Sequence, residues 1–316
     1  MPHSRICPSA VGLAPASRGI HVEILQSFLR TFGYLREPNE DPYTGYRDSD
    51  LPEATRGTFD NATLTALTNY QQFHALEPTG ILDESTVAMM GRRRCGCPDN
   101  PSVLKFVTRD ANGKILVDFG EMNDPVSSVK WSHRDLTYRI QNTANTITDP
   151  ATISAAMRVA FLGWSEVVGL TFREVGVNDT ADIRIGFFMG DHATEDPPNS
   201  SSPFDGVGNT TAHAYSPKTG VVHFDKTEAW FAFPPPPGLP AAVEKIIRQA
   251  NEQVSMTIVR QNRTPDLINT AVHEIGHAIG LKHIPFAFCV MFATDAAPSF
   301  HTPQQIDKQN IKTLYP

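Results

Sequence analysis

The stretch His273-Glu-Ile-Gly-His-Ala-Ile-Gly-Leu-Lys-His283 constrains this chain more than any other. His273 and His277 are four apart, so on a helix their imidazoles leave the same face about one turn apart. Two rings so placed can share one metal ion. Glu274 follows the first ring and reaches water held at that ion. Gly280 can take the positive φ that stops the helix and reverses the chain. His283 then returns from the other side as a third nitrogen ligand. Three neutral nitrogens and a water make an open tetrahedral zinc site, the catalytic kind rather than the closed structural kind. By chance, three His, one Glu and one Gly so spaced occur at far below about one in a million start points. An ordinary amphipathic helix with solvated histidines therefore does not account for the pattern.

The 316 residues allow one large domain or two ordinary ones. A net charge of -7 argues against nucleic acid or an anionic membrane surface as the main partner. No stretch approaches the roughly 18 apolar residues of a membrane helix. The first residues lack the continuous apolar run of a signal peptide. Cys7, Cys95, Cys97 and Cys289 are too few for a disulfide scaffold.

Along the chain, residues 1–16 read as disordered. Helices are expected over Ser17–Leu35, with Val22, Leu25, Phe28, Leu29 and Phe32 on one face and Gly33 at its end, and over Asp60–His74. Asp83 caps a third, ending near Met90. Residues 17–90 thus form a small helical domain, and residues 100–130 an extended linker with a weak strand signal at Ile115. From Trp131 the pattern becomes mixed. Strands are expected at Leu136–Ile140, Phe172, Asp182–Phe188, His213–Tyr215 and Val221–Phe224, and a helix at Ile153–Val168. A Pro-rich insertion with a helix fills residues 231–263. Thr264 and Pro265 read as the cap and first residue of the helix that carries His273.

HEIGHAIGLKH is the metzincin signature, and the chain resembles the matrixins within that clan. Met291 follows His283 at the spacing of their Met-turn, with Ala293 where they carry Pro. KWSHRDLTYRI, AFLGWSEV, ADIRIGF, PFDG, AHA, HFD and the ending IKTLYP are also similar to matrixin segments. The resemblance covers residues 131–316 densely. It implies an α+β fold, a twisted mixed five-stranded sheet with three main helices, behind an all-helical prodomain. It further implies a secreted, monomeric metalloendopeptidase acting on protein or peptide substrates, and five Asn-X-Ser/Thr sequons accord with secretion.

A second stretch, Arg92-Arg-Arg-Cys-Gly-Cys-Pro-Asp99, resembles the matrixin cysteine switch and follows a peptidoglycan-binding-like propeptide. Cys95 matches the thiolate that takes the open zinc position, and Arg94 and Asp99 match the flanking ion pair. Arg93 replaces the usual Pro, and Cys97 occupies the variable position. The switch spans residues 91–99. An activating protease would cut at Lys105, Arg109, Lys114 or Lys130.

The resemblance also implies a structural zinc on His192, His213 and His223. Thr194 stands where the family has Asp, with Glu195 and Asp196 the nearby substitutes. Asp205, Gly206, Gly208, Asp225 and Glu228 match one calcium site. Asp182 matches a ligand of a second, whose usual partner is replaced by Val221. The substrate is expected to add beside Thr211–Ala214, with residues 294–300 shaping its main pocket. The alternative from another class is a glycan- or cell-wall-binding protein with an inactive metal site. A metallohydrolase acting on non-peptide bonds is a third. Glu274 argues against the binding role, since zinc binding alone does not need it.

Overall fold

Aspartate carboxylates start four of the helices by accepting backbone N–H groups that the first turn leaves unpaired. The structure is a computed structural model and describes residues 6, 8–36, 51–109, 115–117, 126–197, 202–232, 264–294 and 302–316. Its helices are α1 (Ile20–Thr31), α2 (Asn61–Phe73), α3 (Glu84–Met90), α4 (Pro150–Val168), α5 (Leu267–Ala278) and α6 (Gln305–Leu314). Its strands are β1 (Arg94–Cys95), β2 (Val107–Arg109), β3 (Ile115–Val117), β4 (Asp135–Ile140), β5 (Thr171–Glu174), β6 (Ile183–Phe188), β7 (Thr210–Ala214) and β8 (Val221–Asp225). They fall into two units. The first comprises residues 1–92, 97–125 and 282–287; the second comprises 93–96, 126–281 and 288–316.

In the first unit, α1 buries Val22, Leu25, Phe28 and Leu29, the face its 3.6-residue period marks. Two buried amides tie helices to the turns that follow. Gln26 donates to Thr63 Oγ1 at 2.9 Å and accepts from Gly57 N at 2.9 Å. Gln71 repeats the device with Thr86 Oγ1 at 3.0 Å and Gly80 N at 2.9 Å. The expected disorder of residues 1–16 does not extend to residues 8–16. There Pro8–Ala10 form a 3-10 turn, Ala10 is buried, and Gly12 N and Leu13 O bond Leu82. The expected linker is also more regular: Pro101–Phe106 is a 3-10 helix, and β2 pairs antiparallel with β3.

In the second unit the sheet order is β1-β7-β8-β6-β4-β5. Strands β5, β4, β6 and β8 run parallel and β7 is antiparallel to β8, the expected five-stranded mixed sheet. β1 adds a sixth strand, parallel to β7. Helix α4 packs on α5, and Trp164 Nε1 donates to Val272 O at 2.8 Å. The expected cap at Thr264 is displaced to Asp266, whose carboxylate accepts from Ile268 N and Asn269 N. Two bonds with Phe231, from its N to Pro265 O and from Leu267 N to its O, hold the preceding residues extended, so Pro265 lies before the helix. The Pro-rich insertion and its expected helix lie outside the described residues, apart from Phe231 and Ala232.

Candidate metal centres and active site

Helix α5 carries His273, Glu274 and His277 on one buried face. Gly280, at φ +114°, ends the run as its spacing predicted. His273 Nδ1 lies 2.6 Å from Val290 O, and His277 Nδ1 lies 2.8 Å from Leu281 O. A carbonyl only accepts, so both Nδ1 atoms donate and both Nε2 atoms are left as lone-pair acceptors. Those two Nε2 atoms are 3.1 Å apart, and Cys95 Sγ is 3.6 Å from that of His277. The two Nε2 lone pairs so close repel unless a cation sits between them, and two imidazoles with a thiolate beside them are a donor set that zinc takes. His283 belongs to the 282–287 segment of the first unit, where its Nδ1 lies 2.9 Å from Asp99 Oδ1.

Glu274 is fully buried. Burial pushes its carboxyl up to about 8, and the Cys95 thiol, within 4.8 Å, works against that rise. The nearby Met291 reaches this helix because of Gly276, a residue the sequence reading passed over. A Cβ there would lie 2.4 Å from Met291 Sδ and 3.0 Å from Trp164 Cζ2. Asp307 fixes the same turn by accepting from Val290 N at 3.1 Å and Met291 N at 3.3 Å. A cavity of about 30 Å³ opens beside Glu274, lined by Thr211, Asn269, Thr270, Cys289, Val290 and Thr294 among others. Asn269 and Thr270 come from α5, a wall not anticipated; of residues 294–300, only Thr294 is described.

Cys95 is delivered by β1. Arg94 N donates to Asn209 O at 2.7 Å, Gly96 N to Ala212 O at 2.7 Å, and Cys95 N to Ala293 O at 2.9 Å. A Cβ at Gly96 would lie 2.8 Å from Thr210 Cγ2, so only glycine lets the strand approach β7 this closely. Arg94 is buried and its Nε donates to Cys95 O. Cys95, Cys97 and Cys289 are buried thiols, with no disulfide among the described residues. Of the expected cleavage points, Lys130 is tied to Leu314 O at 2.9 Å, Arg109 lies in β2, Lys105 lies in the last turn of a 3-10 helix, and Lys114 lies outside the described residues.

A second cluster gathers His192, His213, His223 and Asp196, all buried, with donor atoms within 4.8 Å of one another. Asp196 oxygens lie 3.8, 3.4 and 3.1 Å from His192 Nε2, His213 Nε2 and His223 Nδ1. Asp196, rather than Thr194 or the exposed Glu195, faces the imidazoles. Residues 193–195 form one turn, which carries the Asp196 carboxylate back towards His192. Burial lowers His213, and pushes His223 down to about 4, so both rings stay neutral. Burial acts to raise Asp196, but hydrogen bonds from His213 and His223 outweigh it and hold the carboxyl well below the usual range. Three neutral rings and one carboxylate form the closed tetrahedral donor set of structural zinc.

The 205–208 loop turns on Gly206 and Gly208, both at φ +88°. Asp205 accepts from Asn209 and Thr210, Asp225 from Thr227, and Glu228 from Gly208 N. Burial raises the Asp225 carboxyl, and the negative charge of Asp205 adds to the rise, despite hydrogen bonds from Thr227. Crowded carboxylates of this kind suit a hard cation. Asp182 is engaged differently: Oδ2 accepts from Thr137 N and Oγ1, both at 2.7 Å, and Oδ1 is 3.3 Å from His133 Nε2. Val221 is a buried aliphatic side chain with no oxygen to share a cation.

The matrixin family profile matches residues 130–316, and a peptidoglycan binding domain profile matches residues 18–90. The chain belongs to the matrixin family. Metalloendoproteinase 5-MMP of Arabidopsis thaliana is 33% identical over 85% of this chain and 63% of its own length. Matrix metalloproteinase-17 of Homo sapiens is 33% identical over 84% of this chain and 35% of its own length. Matrix metalloproteinase-16 of Homo sapiens is 31% identical over 92% of this chain and 41% of its own length. The chain therefore spans between about a third and two thirds of these relatives. Among the described residues no helix is long and apolar enough to cross a membrane.

Proposed function

We propose that the chain is a latent zinc endopeptidase, with His273, His277 and His283 as catalytic ligands and Cys95 as the inhibitory one. The observation that carries this reading is the 3.1 Å separation of the His273 and His277 Nε2 atoms, with Cys95 Sγ and the buried Glu274 beside them. His283 enters as third ligand through the spacing of the signature. Zinc, when bound, polarises the scissile carbonyl and makes water acidic enough to attack near neutral pH.

With a cation held beside it, which would offset the effect of burial, Glu274 would be ionised and would take the attacking water's proton and pass it to the leaving amine. Its burial keeps that proton transfer away from bulk solvent. Thr211–Ala214 in β7 offer the edge on which an extended peptide adds by main-chain hydrogen bonds. In the latent chain β1 occupies that edge, so the same two residues that bring in the thiol also exclude substrate. His192, Asp196, His213 and His223 are assigned to structural zinc. Asp205, Gly206, Gly208, Asp225 and Glu228 are assigned to calcium. Kinship with the matrix metalloproteinases supports secretion.

Hydrolysis of a quenched fluorescent peptide tests the reading. The intact chain should be nearly silent, Cys95→Ser active, and Cys95→Ser with Glu274→Ala inactive. An intact chain as active as Cys95→Ser removes the latch. No cleavage by zinc-loaded Cys95→Ser shifts the balance to the glycan-binding alternative.

A further inference from the structure

The three signature histidines are oriented by two different kinds of acceptor. His273 and His277 give Nδ1 to the carbonyls of Val290 and Leu281. His283 gives Nδ1 to the Asp99 carboxylate at 2.9 Å, both side chains fully buried. Asp99 lies in the segment just after Cys95, and its other oxygen is held from the helical unit. Tyr34, just past α1, donates its hydroxyl to Oδ2 at 2.8 Å. His74, at the end of α2, brings Nε2 to 3.3 Å from the same oxygen. Asp99 N donates to Phe32 O at 3.0 Å, which fixes the backbone beneath it. A carboxylate taken out of water is costly unless donors surround it. Tyr34, His74 and His283 are three such donors.

A carboxylate behind a ligand imidazole fixes the tautomer, with the proton on Nδ1 and the lone pair on Nε2, and makes that ring a better ligand. We propose that Asp99, gripped by Tyr34 and His74, is a positioning residue for His283. The N-terminal segment then holds the zinc centre twice in the latent chain, once by the Cys95 thiol and once by this carboxylate. Removing that segment takes away the inhibitor and also the acceptor behind one ligand, so the latent chain retains zinc longer than the processed one. The inference rests on His283 being a zinc ligand.

The test uses the full-length, zinc-loaded chain and two readouts other than activity. One is the rate at which zinc passes to a coloured chelator. The other is iodoacetamide labelling of Cys95, located by peptide mass. Asp99→Asn should speed release of one zinc by about 10–100-fold, and Tyr34→Phe and His74→Phe should act in the same direction by less. Cys95 labelling should rise in parallel. Folded Asp99→Asn that releases zinc at the parent rate overturns the proposal, even if its melting temperature drops, because a purely structural carboxylate would behave that way. Should Asp99→Asn fail to fold, parent-rate release from both Tyr34→Phe and His74→Phe overturns it equally. His273→Ala separates the two levels. If it keeps the full zinc content, the metal assignment itself fails. If it loses one zinc while Asp99→Asn changes nothing, only the role of Asp99 fails.

Discussion

The Nε2 atoms of His273 and His277 face each other at 3.1 Å while both Nδ1 atoms are committed to backbone carbonyls. The helix therefore carries a built-in repulsion that a cation relieves. Chelation should destabilise the whole second unit, because a ligand held at 1,000 times its dissociation constant contributes about 4 kcal/mol. His277→Ala and His213→Ala should each lower the bound zinc by one equivalent, independently. Elemental analysis and thermal melts with and without chelator check both. Unchanged metal content in either variant removes that centre.

Gly96 follows β1 and donates its N–H to Ala212 O of β7 at 2.7 Å. A methyl group there meets Thr210 Cγ2 at 2.8 Å and His213 Cβ at 3.3 Å. Overpacking of this kind costs about 1–3 kcal/mol. Gly96→Ala should therefore raise the rate of Cys95 alkylation by roughly tenfold or more. Labelling at the parent rate would mean that β1 does not limit access to the thiol.

Gly276 gives Met291 its place against α5. Gly276→Ala should cost about 1–3 kcal/mol in urea unfolding, since the new methyl meets Met291 Sδ at 2.4 Å and Trp164 Cζ2 at 3.0 Å. Adding Met291→Ala should recover part of that loss, because residues in contact do not act additively. Additive losses would place the strain elsewhere.

Asp60 caps α2 and also accepts from Thr55 N at 2.7 Å. Burial acts to raise its carboxyl, but the bonds from Thr55 and Thr63 outweigh that and leave it below 3.8. A depressed carboxyl stabilises the fold above its unfolded value and loses that contribution as pH falls through the folded one. Asp60→Ala should cost about 1 kcal/mol at pH 7, and the gap from the parent should narrow below pH 3.8. A gap that widens in acid would contradict the cap.

The sequence by itself determined the chemistry that lives within one helical turn. The spacing of His273 and His277, the adjacent Glu274, the reversal at Gly280 and the caps at Asp60 and Asp83 follow from backbone periodicity and short-range hydrogen bonding. Cys95 was legible for another reason, a flanking pattern quoted nearly whole. Three things had no local signal. β1 joins β7 through contacts far apart in the chain, and Cys95 meets His277 across 182 positions. Asp196, not Glu195, completes the second cluster because a single turn carries one carboxylate inward and the next to solvent. Asp99 reaches His283 across 184 positions, with Tyr34 and His74 behind it. Only tertiary packing decides such pairings: a side chain's neighbours across the fold depend on how whole elements bury their apolar faces, which no short window of residues encodes.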